Sequence, residues 1–341
     1  MRFVVKIFTV FVAFAALQSC THNALDVDVS EINLEPLKLQ RLEQDLFSMT
    51  PKNINENSKN INAKYGTFYK RFLNGILNNG GVRDTSYQSS VLRFINDTVM
   101  RQVYEQSQNL FTPNEISFLE EQINLCRKRF KFHFPKRKLP AKLVSYNSGF
   151  GYSVVYVDST IGIGLDMYLG ANSKFYTRML QWPQYKSRTM AKEFIVSDVA
   201  RGWLITEFDN NEPVNNLLNH MMFYGKIFYA CDALLPNGND SLKIGYTTIQ
   251  MKYCKEYEKN LWGYFAEKNR LYENDLKTVS EFTTDGPFTG AISKECPPRI
   301  AMWMGWQIVR SYMKNNQKIT LEDLMNEKDS QKILSKSKYR P

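Results

Sequence analysis

The chain has 341 residues, 43% of them apolar and 13% aromatic, enough to bury a real core and too many for a disordered tail. Its 44 Lys and Arg against 34 Asp and Glu give a formal net charge of +10, suited to anionic lipid headgroups or acidic envelope polymers. Past the first twenty residues no segment approaches the roughly 20 apolar residues of a membrane span, so the remainder reads as soluble.

The N-terminus has a secretory layout. Arg2 and Lys6 are positive, and Ile7 to Leu17 is an apolar run of eleven residues broken only by Thr9, too short to span a bilayer. Leu17-Gln18-Ser19-Cys20 follows and resembles the bacterial lipobox. Residues 1–19 are therefore expected to be a signal peptide cut before Cys20, with fatty acyl chains such as palmitate placed on that cysteine. Several chains give a stable anchor where one is marginal, at about 0.8 kcal/mol per buried methylene. Loss of Arg2 and Lys6 takes the formal charge from +10 to +8. A lipoprotein outside the cytoplasm rarely meets nucleic acid, so none is expected as a partner.

Residues 20–33 read as the lipidated cysteine and a polar tether, and 34–314 as a single globular domain. Asn60 to Leu77 has apolar residues at a period near 3.6 and closes at Asn78-Asn79-Gly80-Gly81. Thr112-Pro113-Asn114-Glu115 starts another helix, with Pro in the first turn and a capping-box spacing, turning Ile116, Leu119, Ile123 and Cys126 inward. From Cys126 to Lys138, seven basic residues alternate with Phe130, Phe132 and Phe134. The favoured reading is a helix end whose phenylalanines face the core and whose lysines are solvated; the other is a patch for anionic lipid or polymer. Ala141–Tyr146, Ser153–Val157 and Ile161–Leu165 are β-branched or aromatic runs split by turn signals, which predicts a three-stranded antiparallel sheet. Ser173 to Tyr185 holds Phe175, Tyr176, Trp182 and Tyr185 with Pro183 to stop a helix, and reads as a loop. Its aromatics form a candidate partner surface, or else they fold back onto the domain. Helices are expected over about 187–208, 213–232, 247–268 and 297–314, and a frayed, Lys-rich tail over 315–341. The fold class is α+β, predominantly helical.

Catalytic signals are sparse. His22, His133 and His220 are the only histidines, with no pair at helical spacing, so an HExxH zinc site cannot be built and no metal or cofactor is expected. Gly162-Ile163-Gly164 lacks a third glycine and says nothing of nucleotides. With Cys20 taken by lipid, Cys126, Cys231, Cys254 and Cys296 remain as bridges or as free thiols, in three possible pairings and no metal spacing. Glu207, Asp209, Glu212, Asp232 and Asp240 are loop and cap residues or a carboxylate pair; spacing alone cannot separate the two.

Four blocks carry a resemblance: Ile163 to Gly170; Tyr224 to Tyr229 with Asp232 to Pro236; Ile244 to Thr247 with Gln250; and Gly305 to Arg310 with Tyr312-Met313. They resemble the GldB family of gliding-motility lipoproteins from the Bacteroidota envelope, over nearly the whole chain from about residue 35 to 314. The resemblance implies a non-catalytic role in gliding machinery that works alongside type IX secretion, with envelope proteins as partners and the membrane reached through lipid on Cys20. More distantly the layout is similar to predicted HExxH-type zinc peptidases, which implies a degenerate zincin-like fold and a pseudo-peptidase. The metal helix would then lie around Lys192 to Val196 and the third ligand around Tyr224-Gly225. Lys192, Val196 and Tyr224 cannot serve as the ligands, and only Glu193, the would-be general base, survives. The alternative function is a periplasmic hydrolase or a peptide- or glycan-binding lipoprotein, using a cleft between sheet and helices lined by Glu193, Tyr224 and Asp232. Thr21-His22-Asn23-Ala24 lacks the acidic residues that usually follow the cysteine of surface-exported lipoproteins, so the domain is expected to face the periplasm.

Overall fold

A computed structural model describes residues 24–209 and 216–341; the signal segment, Cys20, His22 and Glu212 lie outside the described residues. The organising element is a sheet of four strands, β1 (Leu39–Arg41), β2 (Lys142–Tyr146), β3 (Val154–Val157) and β4 (Thr160–Gly164), in the order β1-β2-β4-β3. β3 and β4 form a hairpin through Asp158-Ser159, where Asp158 takes a φ of 52°. β2 lies parallel to β4 and β1 parallel to β2. The expected three-stranded antiparallel sheet is thus corrected to a mixed sheet of four. The three strands sit where their β-branched runs placed them, but residues 147–153 are a crossing loop and not a hairpin turn. β1 is only three residues long and runs straight into a helix, so it carries no alternating pattern to read.

Side-chain alternation sends the two faces of this sheet into different cores. Leu143, Ile161 and Ile163 pack on one side, Val144 and Tyr146 on the other. At Gly162 a Cβ would lie 2.4 Å from the Phe68 ring, so glycine is what lets that ring approach the sheet so closely. The Val144 side is covered by α1 (Leu42–Phe47), α2 (Ile54–Tyr65), α3 (Thr67–Gly75) and α4 (Tyr87–Asn96). The single helix expected over 60–77 is broken at Gly66, whose φ of 55° a helix cannot contain. The Leu143 side is covered by α5 (Thr98–Leu110) and α6 (Pro113–His133), with Thr112 capping α6 as its spacing predicts.

A third and larger core surrounds two long helices, α9 (Leu217–Leu234) and α14 (Ile300–Asn315). Around them lie α8 (Ile195–Phe208), which follows the four-residue α7 (Gln184–Ser187), then α10 (Asp240–Ile244), α11 (Thr248–Glu256), α12 (Glu258–Ala266) and α13 (Leu276–Thr283). The helix expected over 247–268 is therefore two, divided at Tyr257. The C-terminal segment is no frayed tail: α15 (Leu321–Asn326) opens with a Thr320–Asp323 capping box, and α16 (Ser330–Ser337) packs on α14. Leu321, Leu324, Met325 and Ile333 are buried there, a helical stripe hidden among lysines. At the other end, Leu25 packs on the large core and Val29 is buried, so the expected tether is already part of the domain from Leu25 onward.

All three cores are built from residues 24–341, so a chain lacking the first twenty residues keeps every contact described. Cys126, Cys231, Cys254 and Cys296 are free and buried, which decides the open question against bridges. Burial pushes Cys126, Cys231 and Cys296 up to about 12. Among the described residues no helix is long and apolar enough to cross a membrane.

Candidate functional site

α9 and α14 meet at two glycines. A Cβ on Gly305 would sit 1.9 Å from the Met221 carbonyl oxygen, and one on Gly225 would sit 2.4 Å from the Gly305 carbonyl oxygen. The helices touch backbone to backbone, and no side chain fits between them. Two turns further along α9 this crossing encloses charge. Asp232 is 5% exposed and its oxygens accept four bonds: from Lys243 Nζ (2.8 Å) and Arg310 Nη2 (2.9 Å) on Oδ1, and from Arg310 Nε (2.8 Å) and Trp306 Nε1 (2.9 Å) on Oδ2. Arg310 also donates to both oxygens of Asp240, at 2.8 and 2.9 Å. Burial works against the Asp240 charge, but Arg310 and Lys243 outweigh it and hold the carboxyl below its ordinary value. The Arg310 guanidinium lies 4.0 Å from the centre of the Trp306 ring, on which Phe228 also stacks. Two carboxylates and two cations cancel inside this set, and it pins α9, α10 and α14 together. A hollow of about 850 Å³ opens beside Asp240, lined by Ser241, Lys252, Lys255 and Glu256.

A second carboxylate organises the loop after β2. Asp166 is fully buried and accepts from the Ser148 N–H (2.8 Å), the Phe150 N–H (2.6 Å) and the Ser148 hydroxyl (3.1 Å). Gly149 and Phe150 take φ of 65° and 63° to present those amides. The Tyr176 hydroxyl donates to the Asp166 carbonyl (2.7 Å) and accepts from the Leu169 N–H (2.9 Å). Burial pushes the Asp166 carboxyl up to about 6 in spite of these donors. This is why residues 147–153 cross the sheet and do not turn back.

Near the start of α8, Asp198 accepts from the Tyr168 hydroxyl (2.9 Å) and pairs with Arg201, which also donates to the Lys243 carbonyl (2.6 Å). Arg188 and Arg299 share one carboxylate, Asp285, at 3.8 and 3.4 Å. Nε and Nη2 of Arg188 and Nε of Arg299 are buried with no hydrogen-bond acceptor, and burial together with the Arg299 charge lowers the Arg188 pKa. Two cations against one anion leave this corner with spare positive donors.

The expected cleft residues stand in three different settings. Glu193 is exposed on a 3-10 turn (Lys192–Phe194). Tyr224 stands edge-on to Phe223 beside the Gly225 crossing, and burial raises its hydroxyl. Asp232 lies eight residues on, about 12 Å along the axis, inside its own network. The metal helix expected over 192–196 is corrected as well, because that stretch is the 3-10 turn and the first residues of α8. Lys192 pairs with Glu115, Val196 packs into the cores, and Gly225 is explained by the helix crossing. Among the described residues no three His, Cys, Asp or Glu side chains are placed to hold a metal ion. Burial pushes His133 down to about 4. Of the acidic residues at the end of α8, Glu207 pairs with Arg137 at 2.7 Å.

The aromatic segment divides. Phe175 and Tyr176 are buried in a π-helix (Phe175–Met179), so they leave the candidate partner surface. Trp182 stacks flat on Tyr176 with ring centres 5.6 Å apart and Lys186 above it, and Trp182 and Tyr185 stay half-exposed. Sequence reasoning missed Lys243, Trp306 and Arg310. Trp306 and Arg310 stand one turn apart, a visible signal, but their partners come from other helices.

The family model described as "Gliding motility protein GldB" matches residues 22–341. No curated protein and no solved structure matches the chain.

Proposed function

Because the chain belongs to the family of gliding motility protein GldB, we propose that it is a lipid-anchored, non-catalytic envelope protein supporting the gliding machinery and the type IX secretion associated with it. The observation that carries the non-catalytic part is the use made of the polar groups. Asp232, Asp240, Asp166 and Asp198 each spend their oxygens on structural partners, and Asp232 and Asp240, which stand side by side, are both neutralised by Lys243 and Arg310. The anchor rests on the lipobox at Cys20, and the neutral residues behind it favour the periplasmic side. Trp182 and Tyr185 are the aromatic anchors proposed for an envelope partner.

Growth with a labelled fatty acid tests the anchor: wild-type chain takes up label and Cys20→Ser does not, with loss of motility in the host. Label persisting on the variant would sink it. Turnover of a peptide or glycan substrate by purified protein, abolished by a single carboxylate substitution, would sink the non-catalytic reading.

A further inference from the structure

The basic run at the end of α6 lies where the lipid anchor would hold the domain. Arg129 on α6 donates to Asp26 at 3.3 Å, and Asn237 donates to the same carboxylate at 3.0 Å. From residue 26 back to residue 20 an extended chain spans at most about 21 Å. Whatever face of the domain surrounds Asp26 therefore stands close to the bilayer if Cys20 is lipidated.

That face has two properties of a lipid-contacting surface. Phe132 stands one turn beyond Arg129 and is 49% exposed, although its neighbours Phe130 and Phe134 are fully buried. Phe118, Leu125 and Phe132 repeat at seven-residue spacing along the side of α6 opposite its core residues, with Phe118 also exposed. Charge then singles out the C-terminal end. Arg127 is buried, Arg129 is held by Asp26 and Arg137 by Glu207. Lys128, Lys131, Lys136 and Lys138 are left without a carboxylate partner among the described residues, Lys131 donating only to the Pro135 carbonyl at 2.6 Å. The Phe118 end carries the exposed Glu121 instead and lacks this surplus.

We propose that the C-terminal end of α6 and the segment after it, with Phe132 and Lys128, Lys131, Lys136 and Lys138, form a second membrane contact that lays this face on an anionic phospholipid bilayer. An amphipathic helix end with an aromatic side chain among lysines binds an interface in this way, the ring entering the headgroup region and the ammonium groups meeting phosphate. The orientation rests on the anchor reading above, but the binding itself does not need the lipid.

Flotation with vesicles tests it, using the chain from Thr21 onward, which cannot be lipidated at Cys20. The protein is expected to float with phosphatidylglycerol-containing vesicles, to stay behind with pure phosphatidylcholine, and to release at high salt. The Lys136→Glu and Lys138→Glu double variant should bind at least about tenfold more weakly, since each lysine near the surface adds roughly fivefold. Phe132→Ser should weaken binding too, and both variants should melt as the wild type does. A matched Lys252→Glu and Lys255→Glu double variant should float normally. No flotation with anionic vesicles at low salt overturns the proposal. So does equal loss in the two lysine doubles, which means net charge alone. Failure of fatty-acid labelling at Cys20 is a separate result and strikes only the anchor.

Discussion

Asp232 and Asp166 are both buried carboxylates, yet they are held in different ways. Asp232 is matched by Lys243 and Arg310, and removing one member of such a set strands the others. Asp232→Ala is expected to cost about 3–5 kcal/mol in urea unfolding, and a loss under about 1 kcal/mol would show that the network is not structural. Asp166 has amide and hydroxyl donors but no cation, so burial wins and its carboxyl rises from 3.8 to about 6. Folding then favours its protonated form. The stability it contributes is complete below the unfolded value and gone above the folded one, a loss of about 3 kcal/mol as pH rises across that window. Asp166→Asn cannot titrate and turns a donor toward the Ser148 or Phe150 N–H. Its destabilisation should shrink by about 3 kcal/mol between about pH 3 and about pH 7. A difference that stays flat or grows would refute a raised carboxyl. Little of this was legible in the sequence. Trp306 and Arg310 share a face at four-residue spacing, but their meeting with Asp232 and Lys243 depends on three helices converging, which no local period records.

Elements were legible where one local rule governed them. The Thr112-Pro113 start and the β-branched runs of β2, β3 and β4 gave positions close to those found. Order and direction in the sheet were not legible, because a tertiary contact, Asp166 on the Ser148 and Phe150 amides, decides the path of the loop between β2 and β3. Gly225 and Gly305 show the same limit from the other side. Both stand in blocks of the family resemblance, and only the crossing explains them. Ala is the better helix former, so Gly305→Ala would gain slightly in an isolated helix. Here its Cβ meets a backbone oxygen that cannot rotate away, and the two helices must part. Overpacking of this kind costs about 1–3 kcal/mol or more, and the melting temperature is expected to fall by about 2–5 °C or more. An unchanged or raised melting temperature would mean that α9 and α14 do not approach as described.

Where the domain ends is a question for the whole molecule, and composition misleads there. Residues 315–341 are rich in lysine, yet α15 and α16 cover one side of the α9–α14 pair with Leu324 and Ile333 fully inside. The junction is also polar and specific: the Ser311 hydroxyl and the Asn315 amide donate to the Ser337 carbonyl at 2.8 Å each, and the Asn316 amide donates to the Lys336 carbonyl at 3.1 Å. Ending the chain at Lys318 strips this layer, uncovers the side of α14 that carries Met304, Ser311 and Asn315, and leaves those three donors to water. Burial of α14 in turn holds Arg310 against Asp232, so the loss passes to the charged set. The truncated chain is expected to lose its single cooperative thermal transition, or to melt at least about 10 °C lower, and to bind a hydrophobic dye at low temperature. Ile333→Asp in the full-length chain buries a carboxylate with no cation beside it and should push stability the same way. A truncated chain that unfolds cooperatively at the wild-type temperature would return these residues to the status of a tail and place the domain boundary near Asn315.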